Sequence, residues 1–335
     1  EAEAEAEAEA PPPPQQQQQQ PRSERSRFNV SLITQTDVGR LSYLFEGARR
    51  WKGAVVCSVL LPSGRTLEAV LAGHAKLDPQ VRLIGVARLP AEPSYPINRL
   101  RNVAIRAVRT SHFLVLDVDV WPSVSLATII TNLAPIGLLR RKLSALVVPA
   151  FQLEESAVAG LADLADLADA EQQAAFARAP RTLAQLRACL KASECASFYA
   201  HTSPETHAST PYDEWWRAAP GSDPLLIPCF KSPRYEPYVV LPNLPSTPQY
   251  AEQFTGYGKN KIQFVNHLRF AGFRFHALPG AYVVHMPHAK SHEKLVWEAG
   301  PHRARMDLLY KRLVQQLVAK YQKPRTMSCT AGHVL

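Results

Sequence analysis

Short apolar runs alternate with amphipathic segments along the first half of the chain. Residues 28–34 (FNVSLIT) predict a first strand, and residues 54–61 (AVVCSVLL) predict a second strand that is buried on both faces. The apolar spacing of residues 39–51 predicts a helix between them. Because strands alternate with helices, we expect an α/β fold with a mostly parallel central sheet flanked by helices. The same pattern adds strands at residues 81–87, 112–116 and 143–149 and helices at residues 67–77, 95–108 and 125–133.

The second half of the chain is less regular. Residues 156–177 are rich in Ala, Leu, Asp and Glu, and their leucine spacing predicts an amphipathic helix. Residues 201–248 are rich in Pro, Trp, Tyr and Ser, which predicts loops and short strands around a site. Further helices are expected at residues 181–191, 260–270 and 303–321, and a last strand within residues 273–285.

The ends of the chain differ in composition from its centre. Residues 1–27 begin with EAEAEAEAEA, followed by a Pro/Gln run, and predict a disordered tag or low-complexity stem. Residues 28–323 are expected to form one catalytic domain, and residues 324–335 a frayed tail. No run of 18 apolar residues occurs, so the chain as given is expected to be soluble and secreted, without a membrane span.

Charge and cysteine content narrow the classes of partner. The formal net charge of +9 favours anionic partners such as nucleotide diphosphates or acidic glycans. Nucleic acid is not expected, because zinc-type CxxC pairs, RNA-binding aromatic signatures and basic heptad helices are all missing from the sequence. The five cysteines are compatible with one or two disulfides, and their odd number leaves at least one thiol free or paired between chains: Cys57, Cys189, Cys195, Cys229 and Cys329.

The sharpest local signal is the sequence LVLDVDV, in which Asp117 and Asp119 follow a buried strand. Because strand neighbours alternate in direction, both carboxylates are expected on one side, where they can hold a hard divalent cation, Mn²⁺ or Mg²⁺. A cation there can bridge the phosphates of a nucleotide sugar and neutralise the leaving diphosphate. Two such acids also cap helices or line solvated loops, so the motif needs support from other residues.

A phosphatase of the haloacid-dehalogenase type is an alternative, since that class opens with apolar-Asp-x-Asp. The class carries its motif on the first strand, whereas here three predicted strands precede the strand that leads into Asp117, and a later acidic pair for the magnesium ion is missing from the sequence. We therefore regard this as a remote alternative.

Two further groups of residues can complete a site. HMPH ends the last predicted strand, and we expect His285 to be the third metal ligand, while His288 contacts phosphate or packs. Asn98, Arg101 and Asn102 share one helical face, where Arg101 suits phosphate or carboxylate. A solvated helix face is the alternative interpretation of the last three residues.

Four segments in order, YPINRLRNVAIRAVRTSHFLVLDVDVWP, YEPYVV, FTGYGKNK and AYVVHMPHAKS, resemble the glucuronyltransferase domain of the LARGE-type enzymes. These form glycosyltransferase family 49, which includes the β-1,4-glucuronyltransferases. The resemblance implies a GT-A fold, an inverting reaction, Mn²⁺, UDP-glucuronate and a glycan or glycoprotein acceptor. It also implies a type II membrane protein of the Golgi lumen, whose N-terminal anchor is missing from this sequence.

Carried over residue by residue, the resemblance implies a metal site at Asp117, Asp119 and His285. It implies donor contacts from Gln35, Arg40, Asn98, Arg101, Asn102, Asp117, Val118 and His288. It implies substrate contacts from Tyr257, Gly258, Asn260, Lys261 and Lys290. Lys259 and Lys290 depart from the family pattern, and residues 156–177 are longer than the family's connection, so we interpret that helix as an insertion.

An inverting transfer needs a base, and Glu236 in YEPYVV is the candidate, with a structural carboxylate beside Arg234 as the alternative. Lys259, Lys261 or Lys290 can meet a donor carboxylate. Neutral donors such as galactose, xylose or N-acetylglucosamine stay open. So does a catalytically silent glycan-binding module, for which the aromatic platform would be Trp215, Trp216, Tyr235 and Tyr238.

Overall fold

A computed structural model describes residues 29–72, 78–90, 92, 94–133, 143–158 and 169–329. Its strands are β1 (Val30–Asp37), β2 (Val55–Leu61), β3 (Val81–Ala87), β4 (His112–Val115), β5 (Val120–Pro122), β6 (Ser144–Val148), β7 (Ala150–Leu153), β8 (Cys195–Ser197), β9 (Leu225–Ile227), β10 (Cys229–Phe230), β11 (Tyr238–Pro242), β12 (Arg274–Ala277), β13 (Val283–His285) and β14 (Met327–Ser328). Its helices are α1 (Leu41–Arg50), α2 (Leu67–Leu71), α3 (Ile97–Arg106), α4 (Leu126–Asn132), α5 (Asp169–Ala177), α6 (Leu183–Lys191), α7 (Tyr212–Arg217), α8 (Asn260–Phe270), α9 (His292–Glu298) and α10 (Pro301–Tyr321).

Within the described residues, the main sheet has eight strands in the order β3-β2-β1-β4-β11-β6-β12-β9. The first four strands are parallel, whereas β11 runs antiparallel between β4 and β6. All seven residues of β2 are buried, because this strand lies inside the sheet with both faces covered. The sheet therefore follows the predicted parallel pattern at one side and becomes mixed at the other.

A second sheet, in the order β5-β13-β7-β8, carries the candidate site. Its β13 pairs antiparallel with β5, and His285 lies opposite Val120 in that register. Residues 273–285, predicted to contain a strand ending at His285, hold two strands: β12 in the main sheet and β13, which ends at His285, in the second. The break falls at Gly280, whose φ of +78° turns the chain between them.

Sequence patterns located most of the other elements. The helix predicted at residues 260–270 coincides with α8, and α6 begins at the capping box formed by Thr182 and Gln185. Helix α9 was not predicted. The predicted insertion at residues 156–177 falls partly outside the described residues, and its described C-terminal part forms α5. The predicted stem at residues 1–27 lies outside the described residues.

The segment after α10 is tied to the domain, contrary to the expectation of a frayed tail. Strand β14 pairs with β10, and a disulfide joins Cys229 to Cys329 across 100 residues. A second disulfide joins Cys189 to Cys195, and Cys57 is a buried free thiol. Residues 330–335 lie outside the described residues. No described helix is both long enough and apolar enough to cross a membrane.

Candidate functional site

The loop between β4 and β5, residues 116–119, carries Asp117 and Asp119, and we call it the acidic loop. Hydrogen bonds from the surrounding structure fix it in place. Asp119 O accepts a hydrogen bond from Met286 N over 2.9 Å, which joins the loop to the end of β13. The indole N–H of Trp121 donates over 3.1 Å both to Val118 O and to Tyr43 O in α1. Because Trp121 is fully buried, the carboxylates extend from a rigid support.

Asp117 is surrounded by positive charge. Its Oδ1 accepts from Arg101 Nη2 over 2.6 Å, and its Oδ2 accepts from Lys261 Nζ over 3.1 Å and from the Tyr238 hydroxyl over 3.0 Å. Burial raises the pKa of this carboxyl, but Lys261 and Arg101 outweigh burial and lower the pKa to about 2. Asp117 is therefore an anion held by two cations.

Asp119 belongs to a different cluster. Its Oδ2 lies 2.8 Å from His288 Nε2 and 3.0 Å from Arg40 Nη1. Ligand atoms of Asp119, His285 and His288 all lie within 4.8 Å of one another, a spacing at which one metal ion can be bound. Burial raises the pKa of Asp119, but the nearby His288 lowers it well below its usual range. The two aspartates lie in a turn rather than on a continuing strand, which is why they have different partners.

The two histidines differ in their titration. Burial lowers the pKa of His285 to about 4, so its imidazole is neutral at pH 7 and can act as a ligand. Burial also disfavours protonated His288, but the charge of Asp119 prevails and raises its pKa. A bound cation would replace the proton of His288 in compensating Asp119.

The residues on α3 from which donor contacts are predicted, Asn98, Arg101 and Asn102, are held by hydrogen bonds within the protein. Asn98 is fully buried and donates to Ala251 O, and Asn102 is buried and exchanges hydrogen bonds with the main chain of Tyr250. Arg101 is also buried, between Asn98 and Asp117. The amides of Asn98 and Asn102 thus hydrogen bond residues 250–252, and donor contact from these two residues stays a prediction.

The carboxyl ends of β1 and β2 form a cleft beside the acidic loop. It has a volume of about 280 Å³, and its lining residues are Asp37, Val38, Gly39, Leu60, Leu61, Pro62 and Arg88. Arg40 follows this lining and reaches Asp119. Gln35 is buried within β1, and its Oε1 accepts a hydrogen bond from the Tyr95 hydroxyl. The amide oxygen of Gln35 is thus held by Tyr95, a residue that the sequence analysis missed although it begins the YPINRLRN segment.

The segment FTGYGKNK brings one of its lysines to the acidic loop. Lys261 contacts both Asp117 and the hydroxyl of Tyr238 over 3.1 Å. The ammonium of Lys259 instead lies 3.3 Å from Asp307 Oδ1, with which it forms an ion pair. Asn260 Nδ2 donates to Gly256 O over 2.7 Å, so the Asn260 side chain is hydrogen bonded within its own loop.

Other predicted substrate residues lie around this segment. Tyr257 packs against Trp297 and hydrogen bonds Tyr199, and Gly258 lies under the same indole. The Lys290 ammonium pairs with Glu298 over 3.1 Å and is 57% exposed. The charge of Lys290 is thus compensated by a surface carboxylate, and its contact with substrate stays a prediction.

Glu236 lies just before β11, half-buried, and its N–H donates to Thr206 O. Burial raises the pKa of its carboxyl, although Lys261 acts in the opposite direction. Arg234 pairs with Glu205 rather than with Glu236. The alternative interpretation of Glu236, as a structural partner of Arg234, is therefore not supported by an ion pair among the described residues.

The aromatic platform of the silent-module hypothesis is mostly interior. Trp215, Tyr235 and Tyr238 are at most 2% exposed, and the Trp215 indole donates to Leu278 O. Tyr238 has a site role that sequence reasoning missed, since its hydroxyl donates to Asp117; its position in YEPYVV was the available signal.

The sequence profile of a family described as "Glycosyl-transferase for dystroglycan" matches residues 85–322. This range contains the acidic loop, Glu236, Lys261 and both histidines. The chain belongs to this family. The predicted family resemblance is therefore confirmed, and the family is one of glycosyltransferase enzymes.

Curated relatives extend the match toward the N-terminus. The rat xylosyl- and glucuronyltransferase LARGE2 is 29% identical over 302 residues, covering 88% of this chain and 39% of the relative. Human xylosyl- and glucuronyltransferase LARGE1 is 26% identical over 266 residues, covering 78% of this chain and 32% of the relative. The chain thus spans about two fifths or less of the length of these relatives.

A solved structure confirms the predicted fold. The crystal structure of GalNAc-T7 with UDP, GalNAc and Mn²⁺ superposes with a TM-score of 0.51 at 10% sequence identity. The superposition covers 89% of this chain and 55% of that one. The family member described here therefore has the α/β architecture expected from its alternating strands and helices and the GT-A fold that the resemblance implies.

Proposed function

We propose that this domain is a metal-dependent, inverting glycosyltransferase that transfers glucuronate from UDP-glucuronate to a glycan acceptor. The observation that carries the proposal is the convergence of Asp119, His285 and His288 within 4.8 Å beside the cleft at the ends of β1 and β2. Ligands of open α/β sheets bind at the carboxyl ends of strands, and a diphosphate placed there would meet this cluster.

The three side chains fit a Mn²⁺-class ion. One carboxylate and two imidazoles form a mixed oxygen and nitrogen set, which suits Mn²⁺ better than Mg²⁺. Asp119, His285 and His288 would hold the ion, and Asp117 would lie beside it with its charge compensated by Arg101 and Lys261. When bound, the ion supplies positive charge that stabilises the leaving diphosphate. The Mn²⁺ and UDP in the GalNAc-T7 structure support this assignment.

Lys261 supports a glucuronate donor. A hexuronate donor needs a cation in the site, whereas a neutral sugar does not. All three lysines considered pair with acidic side chains, but only the partner of Lys261, Asp117, belongs to the acidic loop, whereas Lys259 pairs with Asp307 and Lys290 with Glu298. The names of the LARGE relatives include both glucuronyl and xylosyl transfer, so a xylose donor is the alternative that the experiment must separate.

Glu236 is the proposed base. Because burial raises the pKa of its carboxyl, the carboxylate is a stronger proton acceptor than an exposed glutamate. It would take the proton of the acceptor hydroxyl as that oxygen attacks the anomeric carbon. The bond to UDP breaks on the opposite side of the sugar, which inverts the configuration.

An oxidising compartment fits the described cysteines. Disulfides persist in secretory lumens and are rare in the cytosol. Both the Cys189–Cys195 and the Cys229–Cys329 bridges are formed in the structure. Together with the resemblance to the LARGE-type enzymes, the two bridges support our proposal of a Golgi lumenal domain that is part of a type II membrane protein.

A donor panel tests the function. The protein is mixed with Mn²⁺, an acceptor library and each UDP-sugar in turn, and products are analysed by mass and anomeric configuration. We expect transfer from UDP-glucuronate with inversion, and loss of transfer in EDTA that Mn²⁺ restores. Preference for UDP-xylose or another neutral donor would reject the glucuronate assignment. Undiminished transfer in EDTA would reject the metal site, and binding of glycans without any release of UDP would favour a silent module.

A further inference from the structure

The segment Asn29-Val30-Ser31 has the sequence N-x-S, which is an acceptor pattern for N-linked glycosylation. It is the only such pattern in the sequence, and the activity proposed above makes no use of it. Because residues 28–34 predict a buried strand, the sequence alone favours a segment that carries no glycan. In the structure β1 begins at Val30, and Asn29 precedes it as an exposed residue. The side chain that would carry a glycan therefore lies at the surface.

Hydrogen bonds to Ser111 use the polar groups of Asn29 but leave its side-chain nitrogen free. Asn29 N donates to Ser111 Oγ over 3.1 Å, and Asn29 O accepts from the same hydroxyl over 2.9 Å. Asn29 Oδ1 accepts from Ser111 N over 3.2 Å, whereas Nδ2 has no protein partner in the described part of the chain. A glycan replaces one hydrogen of Nδ2 and leaves the carbonyl oxygen in place. The folded chain can therefore carry a glycan with all of these hydrogen bonds intact.

The surface around Asn29 is open. The turns that lead into β2 and β4 lie beside it, since Leu32 N donates to Ala54 O and His112 N donates to Asn29 O. Residues 52–54 of the first turn and Arg109 of the second are exposed. A sugar attached to Asn29 would therefore extend into solvent rather than into the sheet.

The hydroxyl of Ser31, the third residue of the acceptor pattern, is buried and hydrogen bonds Thr110 Oγ1 over 2.8 Å. This burial does not oppose glycosylation, because the oligosaccharide is transferred to the extended chain as it enters the secretory lumen. The Ser31 hydroxyl is accessible at that stage and becomes buried only when β1 pairs with β4. The order of the two events thus reconciles the pattern with the fold.

Asn29 and the candidate site lie at opposite ends of β1. The strand runs from Val30 to Asp37, and Asp37 lines the cleft. A strand rises by about 3.3 Å per residue, so roughly 26 Å separates Asn29 from Asp37. A glycan on Asn29 would therefore leave the cleft and the acidic loop accessible to substrates.

We propose that Asn29 is a site of N-linked glycosylation. This inference rests on the proposed function only for the secretory compartment, which the two disulfides support independently. The co-reactant is an oligosaccharide linked to a lipid diphosphate in the membrane of that compartment. Asn29 Nδ2 attacks the anomeric carbon of this oligosaccharide, so that a C–N bond replaces the bond to the diphosphate. The lipid diphosphate leaves, and Nδ2 loses one proton to a base of the transferring enzyme.

Peptide mass spectrometry tests the site. The full chain is secreted from human cells that make only high-mannose N-glycans, and an endoglycosidase then trims each glycan to a single N-acetylglucosamine. Trypsin releases the peptide FNVSLITQTDVGR, residues 28–40, in which Asn29 is the only asparagine. We expect this peptide to carry N-acetylglucosamine on Asn29 in the majority of molecules. A peptide that is unmodified in the majority of molecules would overturn the proposal.

Three variants separate the acceptor pattern from the hydrogen bonds around it. Asn29→Gln and Ser31→Ala each destroy the pattern, so both should lose the glycan completely. Ser111→Ala is the matched control, because it removes the hydroxyl that bonds Asn29 and keeps the pattern, so it should retain the glycan. Intact mass before and after the endoglycosidase measures the loss. Since the transfer precedes folding, protein from the cell lysate serves for any variant that is not secreted.

Separate outcomes overturn the glycosylation site and the function. A glycan that persists in Asn29→Gln or Ser31→Ala, or one that is lost in Ser111→Ala, would overturn the assignment to this pattern. With each UDP-sugar, kcat/KM of Asn29→Gln should stay within about twofold of the wild type, because the two sites are far apart. A larger loss would contradict the placement of the glycan away from the cleft. A glycosylated wild type that transfers no sugar would overturn the function alone, and an active wild type with unmodified Asn29 would overturn the site alone.

Discussion

The ammonium of Lys261 donates a hydrogen bond to Asp117 Oδ2 over 3.1 Å, joining residues 144 positions apart. This contact links the first turn of α8 to the loop after β4. Arg101 compensates the other oxygen of the same carboxylate. One member of the Asp-x-Asp motif is thereby held by cations, which leaves Asp119 and two histidines as the group arranged for a metal ion.

Replacing Lys261 tests its part in donor choice. For Lys261→Met we expect kcat/KM with UDP-glucuronate to fall about 100-fold or more, because the donor carboxylate loses a buried cation. Neutral UDP-sugars should lose less, since they lack that carboxylate. Steady-state kinetics over the donor panel measure the difference. Lys290→Met should resemble the wild type, as Lys290 pairs with Glu298 on the surface; equal losses for all donors would limit Lys261 to supporting Asp117.

The metal cluster predicts an unequal effect of the two aspartates. His288→Ala and Asp119→Asn should each weaken Mn²⁺ binding at least about tenfold, as expected for removal of a ligand. Asp117→Asn should retain most of the affinity, because Asp117 lies outside the three-residue cluster. Calorimetric titration with Mn²⁺ gives the dissociation constants. Wild-type affinity in His288→Ala would return this histidine to a phosphate-contacting role.

Glu236 should control the acidic side of the pH profile. A base acts in its ionised form, and burial raises the pKa of this carboxyl, so kcat/KM should fall at a higher pH than for an exposed glutamate. Glu236→Gln should lower transfer about 100-fold or more and remove that acidic limb, with Mn²⁺ and UDP binding intact. Glu205→Gln, which alters a carboxylate paired with Arg234, is the control. An unchanged profile in Glu236→Gln would exclude it as the base.

A buried ion pair fixes α1 against the segment after α5. Glu46 accepts from Arg50 Nε over 3.0 Å and also pairs with Arg181. Glu46→Gln should lower the free energy of unfolding by about 3 kcal/mol, since it leaves Arg50 buried and unpaired. Urea unfolding measures this, and Arg49→Met, at an exposed position, should cost about 0.5 kcal/mol or less.

The stabilisation from Glu46 should also depend on pH. Burial raises the pKa of Glu46, but Arg181 and Arg50 outweigh it, so the folded-state pKa is lowered. A depressed pKa stabilises the fold above the unfolded value of about 4.3, and this contribution is lost as the pH falls through the folded value. The stability difference between wild type and Glu46→Gln should therefore shrink below about pH 4. A constant difference would contradict the assignment.

The sequence by itself determined the class of fold and the family. Apolar runs such as residues 54–61 predicted buried strands because a strand inside a parallel sheet must be apolar on both faces. The helix at residues 260–270 was predicted within its observed bounds, and four ordered segments identified the glycosyltransferase family. These features are local, or depend only on the order of motifs, so one chain is enough to show them.

Only the tertiary structure decided which side chains share a site. Sequence spacing could not group His288 with Asp119, because their contact depends on the pairing of β13 with β5. It also could not show that the amides of Asn98 and Asn102 are used by residues 250–252. Hydrogen-bond partners and local charge are set by segments distant in sequence, whereas periodicity reports only the neighbours along the chain.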